Sequence, residues 1–310
     1  MDCKLYIISH SDLPIDYQIP QSNHAAMEFA AKYPAEFYDW HKRSNSIINL
    51  NCKNELDLIK FGQKLSSRGI KFAEFREPDI GNELTAIAIC PGSEIRKLCS
   101  NLPLAGKRIN PEARERLNKK FETVEAMQAC EQTSGQTIWQ HGESVRDYLM
   151  DLIKFLRDPH YTSQYTWRYP QWILSHSKAI LELLPEDHIL ERYALWHDCG
   201  KPFCKTVDEN GKAHFPNHAQ VSANLFRELY PEQQETALLI EMDMDIHLLS
   251  ADGIDEFAKK PQAAALLLSG LAAIHSNAEM FGDTTSESFK IKWKHIDRRG
   301  SAICKKLFQK

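Results

Sequence analysis

The hydrophobic rhythm of the chain changes about a third of the way along. Up to about residue 100, short apolar runs alternate with helical stripes. A strand is predicted over Leu5–Ile8, ending at the turn-forming Ser11-Asp12-Leu13-Pro14. A helix follows from about Gln21 to Lys32, with Ala25, Phe29 and Ala30 on one side. Next come a strand around Ile47–Leu50, a helix from Asn54 to about Ser67 with Asn54 as its cap, and strands around Phe72–Phe75 and Leu84–Ile89. Asn101–Asn110, with Pro103, Gly106 and Lys107-Arg108, reads as a boundary, and Pro111 suits the first position of a new helix. Beyond it no strand pattern appears, and helical spacing carries the rest. The expected organisation is a small α/β domain with a mixed sheet and flanking helices in 1–102, a linker and helix in 103–131, and an all-α domain in 132–310.

In the helical part, histidines repeatedly fall on faces that should be buried. Ile138, His141, Val145, Tyr148, Leu152 and Leu156 share one stripe. Leu190, Tyr193, Ala194 and His197 share a second, and Ala264, Leu267, Leu268, Leu271 and His275 a third. Any one of these histidines reads equally well as a core imidazole bonded to the backbone. Several converging ones point to metal ligation.

Composition narrows the class. With 43% hydrophobic and 26% charged residues the chain has the make-up of a folded protein. Its first residues lack the basic start and apolar stretch of a secretory signal, and the most apolar run, Ala263–Ile274, is shorter than the roughly 20 residues a bilayer requires. A cytoplasmic protein with no membrane partner is expected. The 8 cysteines form no C-x-x-C pair, which fits reduced thiols. A net charge of -4 excludes a generally basic surface, yet Lys290, Lys292, Lys294, Arg298, Arg299, Lys305, Lys306 and Lys310 cluster at the end against the single acid Asp297.

The most informative stretch is Trp196-His197-Asp198-Cys199-Gly200-Lys201-Pro202. Adjacent His and Asp at a helix end offer an imidazole and a carboxylate to one cation, and such mixed ligands suit Mn, Fe, Co, Ni or Zn, with Mg a further option. Gly200 can end the helix, and Lys201 would project a positive charge toward a phosphate.

This stretch resembles the H-D-x-G-K-P signature of the HD superfamily of metal-dependent phosphohydrolases, particularly the HD domains of bacterial tRNA nucleotidyltransferases. There a short polar hairpin and an H-F-x-x-H segment follow, matched here by His214-Phe215-Pro216-Asn217-His218. The resemblance covers approximately Ile138 to Ala278. It implies His141, His197 and Asp198 as metal ligands, with His218 and His247 as additional ligands if two ions are held. Where many HD proteins place a late Asp, this chain has Ile274-His275-Ser276-Asn277, so His275 takes that place in the expected set. Asp243 and Asp245 are alternative carboxylates, and His176 and His188 have no place in the pattern. The implied catalytic residues are Asp198 and Lys201, with Lys205 and His214 contacting substrate.

The implied activity is metal-dependent hydrolysis of a phosphoester in a nucleotide or an RNA end, a tRNA 3′ end or 2′,3′-cyclic phosphate being the preferred class. Two alternatives stay open. One is a phosphohydrolase of small or signalling nucleotides. The other is a non-catalytic RNA-binding or sensor protein whose metal serves folding. Lys290, Lys294 and Arg298, spaced along one helical face beside Phe289 and Trp293, are the expected phosphate contacts for a nucleic-acid partner.

The first 100 residues resemble the archaeal and eukaryotic type of peptidyl-tRNA hydrolase. The matching pieces are Tyr6-Ile7-Ile8 leading to Ser11-Asp12-Leu13, then Gln21-Ser22-Asn23-His24-Ala25-Ala26, and Glu77-Pro78-Asp79-Ile80 before the strand at Leu84. That family carries a lysine shortly before the Gln and His-Ala pair, whereas this chain has Asp16-Tyr17-Gln18-Ile19-Pro20. Without that charge, the protein is expected not to hydrolyse peptidyl-tRNA efficiently. An ester-cleavage assay showing turnover that persists after Asp198→Ala would refute this.

Overall fold

Residues 4–133, 135–158, 160–280 and 282–308 are described by the computed structural model, so Cys3 and Lys310 lie outside the described residues. The chain divides into two units, Met1–Val124 and Glu125–Lys310. In the first, β1 (Leu5–His10) is followed by α1 (Ile15–Lys32), α2 (Pro34–Arg43) and β2 (Ile47–Cys52). Then come α3 (Glu55–Ser66), β3 (Phe72–Glu77), a short 3-10 turn (Pro78–Ile80), β4 (Glu83–Ile89), α4 (Ile95–Leu98) and α5 (Ala113–Ala129), with the division between units falling inside α5. The strands form a small mixed sheet in the order β2-β1-β4-β3, with β1 parallel to β2 and antiparallel to β4, and β4 antiparallel to β3.

Strand alternation explains the layering. Leu5 and Ile7 of β1 and Ala86 and Ala88 of β4 face Phe29 of α1 and Trp40 of α2. Tyr6, Ile8, Ile87 and Ile89 point the other way, onto Leu58 and Leu65 of α3 and Ile95 of α4. Because helices cover both faces, all seven residues of β4 are buried, and the strand ends in the apolar run Ala86–Ile89.

Three local differences from the sequence reading have physical causes. α1 begins at Ile15 instead of Gln21 and runs through Pro20. The start of the helix is anchored by the buried Gln18, whose amide donates to Leu13 O at 2.6 Å and accepts from Asn51 Nδ2 at 2.7 Å. α2 escaped notice because Trp40 is its only buried residue, too narrow a stripe to read as amphipathic. Pro111 lies in the turn before α5, which starts at Ala113, with Asn110 Oδ1 accepting from the Glu112 N–H.

The second unit is mostly helical. It opens with the ribbon β5 (Glu131–Thr133) and β6 (Gln136–Thr137), then α6 (Ile138–Arg157), α7 (Gln171–Glu182), α8 (Asp187–Trp196) and α9 (Lys201–Cys204). A second ribbon, β7 (Thr206–Val207) with β8 (Ala213–His214), precedes α10 (His218–Leu229), α11 (Gln234–Glu241), α12 (Asp243–Leu248), α13 (Ile254–Ala258), α14 (Ala263–Met280) and α15 (Glu287–Phe308). The two ribbons correct the expectation that no strands occur here. Strands of two or three residues are too short to show alternation.

α6 packs against α8 and α14, and α14 packs against α15. Thr137 and Gln140 form a reciprocal capping box at the start of α6, which fixes where the helix begins and hence which face His141 occupies. Asp151 of α6 is buried and accepts from Tyr161 Oη, Gln164 N and Trp167 Nε1 at 2.7–2.8 Å, pinning the segment before α7. The run Ala263–Ile274 lies within α14, whose residues are almost all buried. Among the described residues no helix is long and apolar enough to cross a membrane. Seven cysteines, from Cys52 to Cys304, are free.

Asn54 caps α3 as expected, its Oδ1 accepting from the Asp57 N–H at 3.0 Å. Asn54→Ala is expected to lower the stability of the protein by about 1 kcal/mol, measured by denaturant unfolding against the parent. An unchanged midpoint and slope would show that the cap contributes nothing.

Candidate metal centre

The centre is assembled where α8 stops. His197 and Asp198 follow its last residue, and the chain then turns at Gly200 into α9. That turn is pressed against α10: Gly200 N–H donates to Ser222 Oγ at 2.8 Å, and a Cβ at position 200 would stand 2.4 Å from Ser222 N. Only a residue without a side chain lets the backbone approach so closely. Gly142 plays the same part on α6, where a Cβ would stand 2.4 Å from Leu195 O of α8. These two glycines bring α6, α8 and α10 together at the residues that carry chemistry.

Asp198 is 2% exposed and lies among three imidazoles and an ammonium. Its Oδ2 is 3.2 Å from His197 Nε2, 3.8 Å from His141 Nε2 and 2.6 Å from Lys201 Nζ, and its Oδ1 is 3.6 Å from His218 Nε2. Lys201 also donates to Gln132 Oε1 of β5 at 2.6 Å. Two imidazoles are oriented by the main chain, His197 Nδ1 lying 2.8 Å from Ala194 O and His218 Nδ1 3.0 Å from Phe215 O. Since a carbonyl only accepts, each Nδ1 carries the proton, and each Nε2 presents a lone pair to the carboxylate when the ring is neutral.

Where such a ring is neutral, its lone pair and the carboxylate repel unless a cation comes between them; a protonated His197 donates to Asp198 instead. His141 Nδ1 and Asp198 Oδ1 are moreover buried without a hydrogen-bond partner among the described residues. A buried acceptor left in that condition is costly, and the donor set fits a positive ion that would engage it. The ligand atoms of His141, His197 and Asp198 all lie within 4.8 Å of one another, and this buried group can hold a metal ion.

The titration of the cluster reflects the same crowding. Burial, reinforced by His197, pushes His141 down to about 3. Burial opposes charge on His197 too, but the Asp198 carboxylate beside it prevails and lifts that imidazole to about 9. Burial likewise works against the Asp198 carboxylate, yet His197 and Lys201 hold it well below the usual range.

A cavity of about 600 Å³ opens on the cluster, and His247 and Asp243 also line it. Of the two alternative carboxylates, Asp243 faces this cavity and accepts from the buried Tyr193 Oη at 2.6 Å, while Asp245 pairs with Lys260 at 2.8 Å. His247 sits one helical turn after Asp243, and burial lowers its pKa.

Several expected site residues are placed elsewhere. His275 does not join the cluster: its Nδ1 donates to Leu271 O at 2.8 Å, its Nε2 accepts from Arg168 N–H at 3.1 Å, and its ring packs on Trp167. With both nitrogens engaged, no lone pair is left for a metal. His214 pairs with Asp208 across the β7–β8 ribbon, and Lys205 is exposed beside it; neither lines the cavity. Lys290, Lys294 and Arg298 are exposed on α15, Lys290 pairing with Glu287, and the cavity is lined instead by Lys292, His295 and Arg299. Three of the buried residues of α15, Phe289, Ile296 and Ile303, recur every seven residues, and Lys292 and Arg299 flank that stripe. This spacing was present in the sequence and identifies the correct face. Phe289 is buried against His275, and Trp293 donates to Arg168 O at 2.8 Å beneath its guanidinium, so the expected stacking surfaces are already covered.

In the first unit, Gln21 is buried and bridges Glu77 and Thr85, whereas His24 is exposed and stacks on Phe75. Asp79 is exposed in the 3-10 turn. These contacts are those of packing and turn formation.

No protein-family model matches this chain, and no curated protein matches it.

His141 and His275 make opposite demands. His141→Ala is expected to reduce the metal content of protein purified without chelator, with little loss of helix. His275→Ala should instead cost about 2 kcal/mol of stability, through the Leu271 and Arg168 backbone groups it strands, and leave metal content at the parent level. Elemental analysis beside thermal melts separates them, and equal metal content in parent and His141→Ala would remove His141 from the centre.

Proposed function

We propose that the second unit is an HD-type metal-dependent phosphohydrolase that cleaves a phosphoester of a nucleotide or an RNA end. The observation that carries this reading is the convergence of His141, His197 and His218 on the Asp198 carboxylate at a cavity that also contains Lys201. The order of these residues along the chain agrees with the HD resemblance, and the cavity volume falls within the range of small-ligand sites.

The imidazole and carboxylate donors suit Mn, Fe, Co, Ni or Zn, and His247 with Asp243 offers further donors should a second ion be held. A bound divalent ion supplies Lewis acidity toward a phosphoryl oxygen and acidifies water toward a pKa of about 7. The residues of the chain do the rest. Ala194 O and Phe215 O hold the His197 and His218 rings with their Nε2 atoms toward Asp198. Lys201 has three N–H donors, of which Asp198 and Gln132 take two. The third is available to a non-bridging phosphate oxygen, where positive charge stabilises the negative charge that builds up during displacement.

The resemblance of the first unit to peptidyl-tRNA hydrolase supports an RNA substrate, tRNA among the candidates. The modest cavity supports a small nucleotide equally well. Chain length of the substrate distinguishes them, since an RNA enzyme prefers oligomers to mononucleotides.

Metal-stripped protein reloaded with Mn, Co, Ni or Mg is expected to hydrolyse at least one member of a panel of nucleotides, cyclic phosphates and short RNAs. Asp198→Ala should reduce that rate to the metal-free background while retaining helical content by circular dichroism. Parent-level turnover in the reloaded variant would defeat the assignment. A parent that retains metal but turns over nothing on the panel would point to a metal that serves folding only.

A further inference from the structure

The cavity contains a second set of basic side chains that the chemistry above does not use. α15 turns Lys292, His295 and Arg299 onto the same space as the metal cluster. Among the described residues none of the three has a carboxylate within salt-bridge reach, whereas Lys290 pairs with Glu287, Lys306 with Asp255 and Lys260 with Asp245. Lys294 and Arg298 on the outer face of α15 are likewise without a carboxylate partner among the described residues, so what sets Lys292, His295 and Arg299 apart is that they share the cavity with the metal cluster.

Arg299 is also held in position. One Nη donates to Ile246 O at 3.0 Å, which anchors the guanidinium and leaves its other N–H donors uncommitted. Burial, with Arg298 adding to it, lowers the Arg299 pKa, as expected for a charge desolvated without a counter-ion. Val145, Ile274 and Ile296 give the same cavity apolar wall. A planar fork beside an ammonium and an imidazole is a donor set that matches phosphate.

Resting on the phosphohydrolase reading of the metal cluster, we propose that Lys292, His295 and Arg299 form a subsite for a second, non-reacting phosphate of the substrate. The preferred ligand then carries two phosphates on one nucleoside unit, because a cavity of about 600 Å³ encloses one nucleotide and not several. A free nucleoside 3′,5′-bisphosphate has this chemistry. So does an RNA end bearing a 3′-phosphate, whose preceding phosphodiester occupies the same place.

The test is calorimetric titration of the full-length protein, in chelator so that nothing turns over, with adenosine 3′,5′-bisphosphate, 3′-AMP and 5′-AMP. The bisphosphate is expected to bind about tenfold or more tighter than either monophosphate, the gain typical of charge-assisted hydrogen bonds. Lys292→Gln and Arg299→Gln should each remove most of that advantage, and Lys290→Gln combined with Lys294→Gln, which deletes two charges from the outer face of the same helix, should keep it. Lys292 is exposed, so Lys292→Gln decides the matter even if Arg299→Gln disturbs α12 through the lost bond to Ile246. The short RNA ApAp serves as a further arm. Binding tighter than the bisphosphate identifies an RNA end as the source of the second phosphate, and equal or weaker binding identifies a free nucleotide. The proposal is overturned if the bisphosphate does not bind, if it binds no tighter than the monophosphates, if Lys292→Gln retains the advantage, or if the outer-face variant loses it equally. Because these are equilibrium measurements without turnover, their failure leaves the catalytic reading standing, and failure of the Asp198→Ala hydrolysis test leaves the subsite measurable.

Discussion

Everything in the second unit that bears on chemistry depends on keeping one carboxylate charged out of water. Asp198 is buried, and an isolated carboxylate in such a place would take up a proton. It remains ionised because Lys201 and His197 stand beside it. That requirement shapes the surrounding fold. α8 must end where it does, α9 must begin with a lysine, and α6 and α10 must each bring a histidine within 4 Å. Removing one partner of such a group costs more than the pair contributes, since the remaining charge is left desolvated.

Close approach of backbones makes the arrangement possible. Imidazoles on separate helices reach a common carboxylate only if the helix axes nearly touch, and Gly142 and Gly200 occupy the two points where a single methyl group would collide with a neighbouring main chain. The second glycine serves twice, standing at the start of α9 just after the His-Asp pair and seating the turn on Ser222. Packing and chemistry are therefore set by adjacent residues, Gly142 beside His141 and Gly200 two places after Asp198.

What could be read from the sequence follows from which signals are local. The burial of His141 was legible because its helix carries a long regular stripe, and the α/β layout of the first unit followed from strand and helix rhythms. The cap at Asn54 was equally plain. His275 misled because a histidine on a buried stripe looks the same whether it faces a cation or a backbone carbonyl; only the contact from Arg168, over a hundred positions away in the chain, decides between them. The α15 residues that line the cavity were missed for a different reason. Charge density drew the eye to Lys290, Lys294 and Arg298, while the sparser apolar residues that fix the helix's rotation went unweighted. Gln132 gave no signal, since a three-residue strand has no periodicity to detect, and its role exists only through Lys201.

The orientation of two of the imidazoles rests on Ala194 O and Phe215 O, which belong to the peptide backbone and not to side chains. Whatever residues stand at positions 194 and 215, those oxygens remain. The orientation of His197 and His218 is thus insulated from drift in neighbouring codons, so long as the helix end and the loop keep their course. His141 has no such guarantor: its Nδ1 is buried without a hydrogen-bond partner among the described residues, and an exchange nearby that supplied an acceptor would make it a stronger donor. Of the three rings, it is the one through which selection could retune the affinity of the centre without rebuilding it.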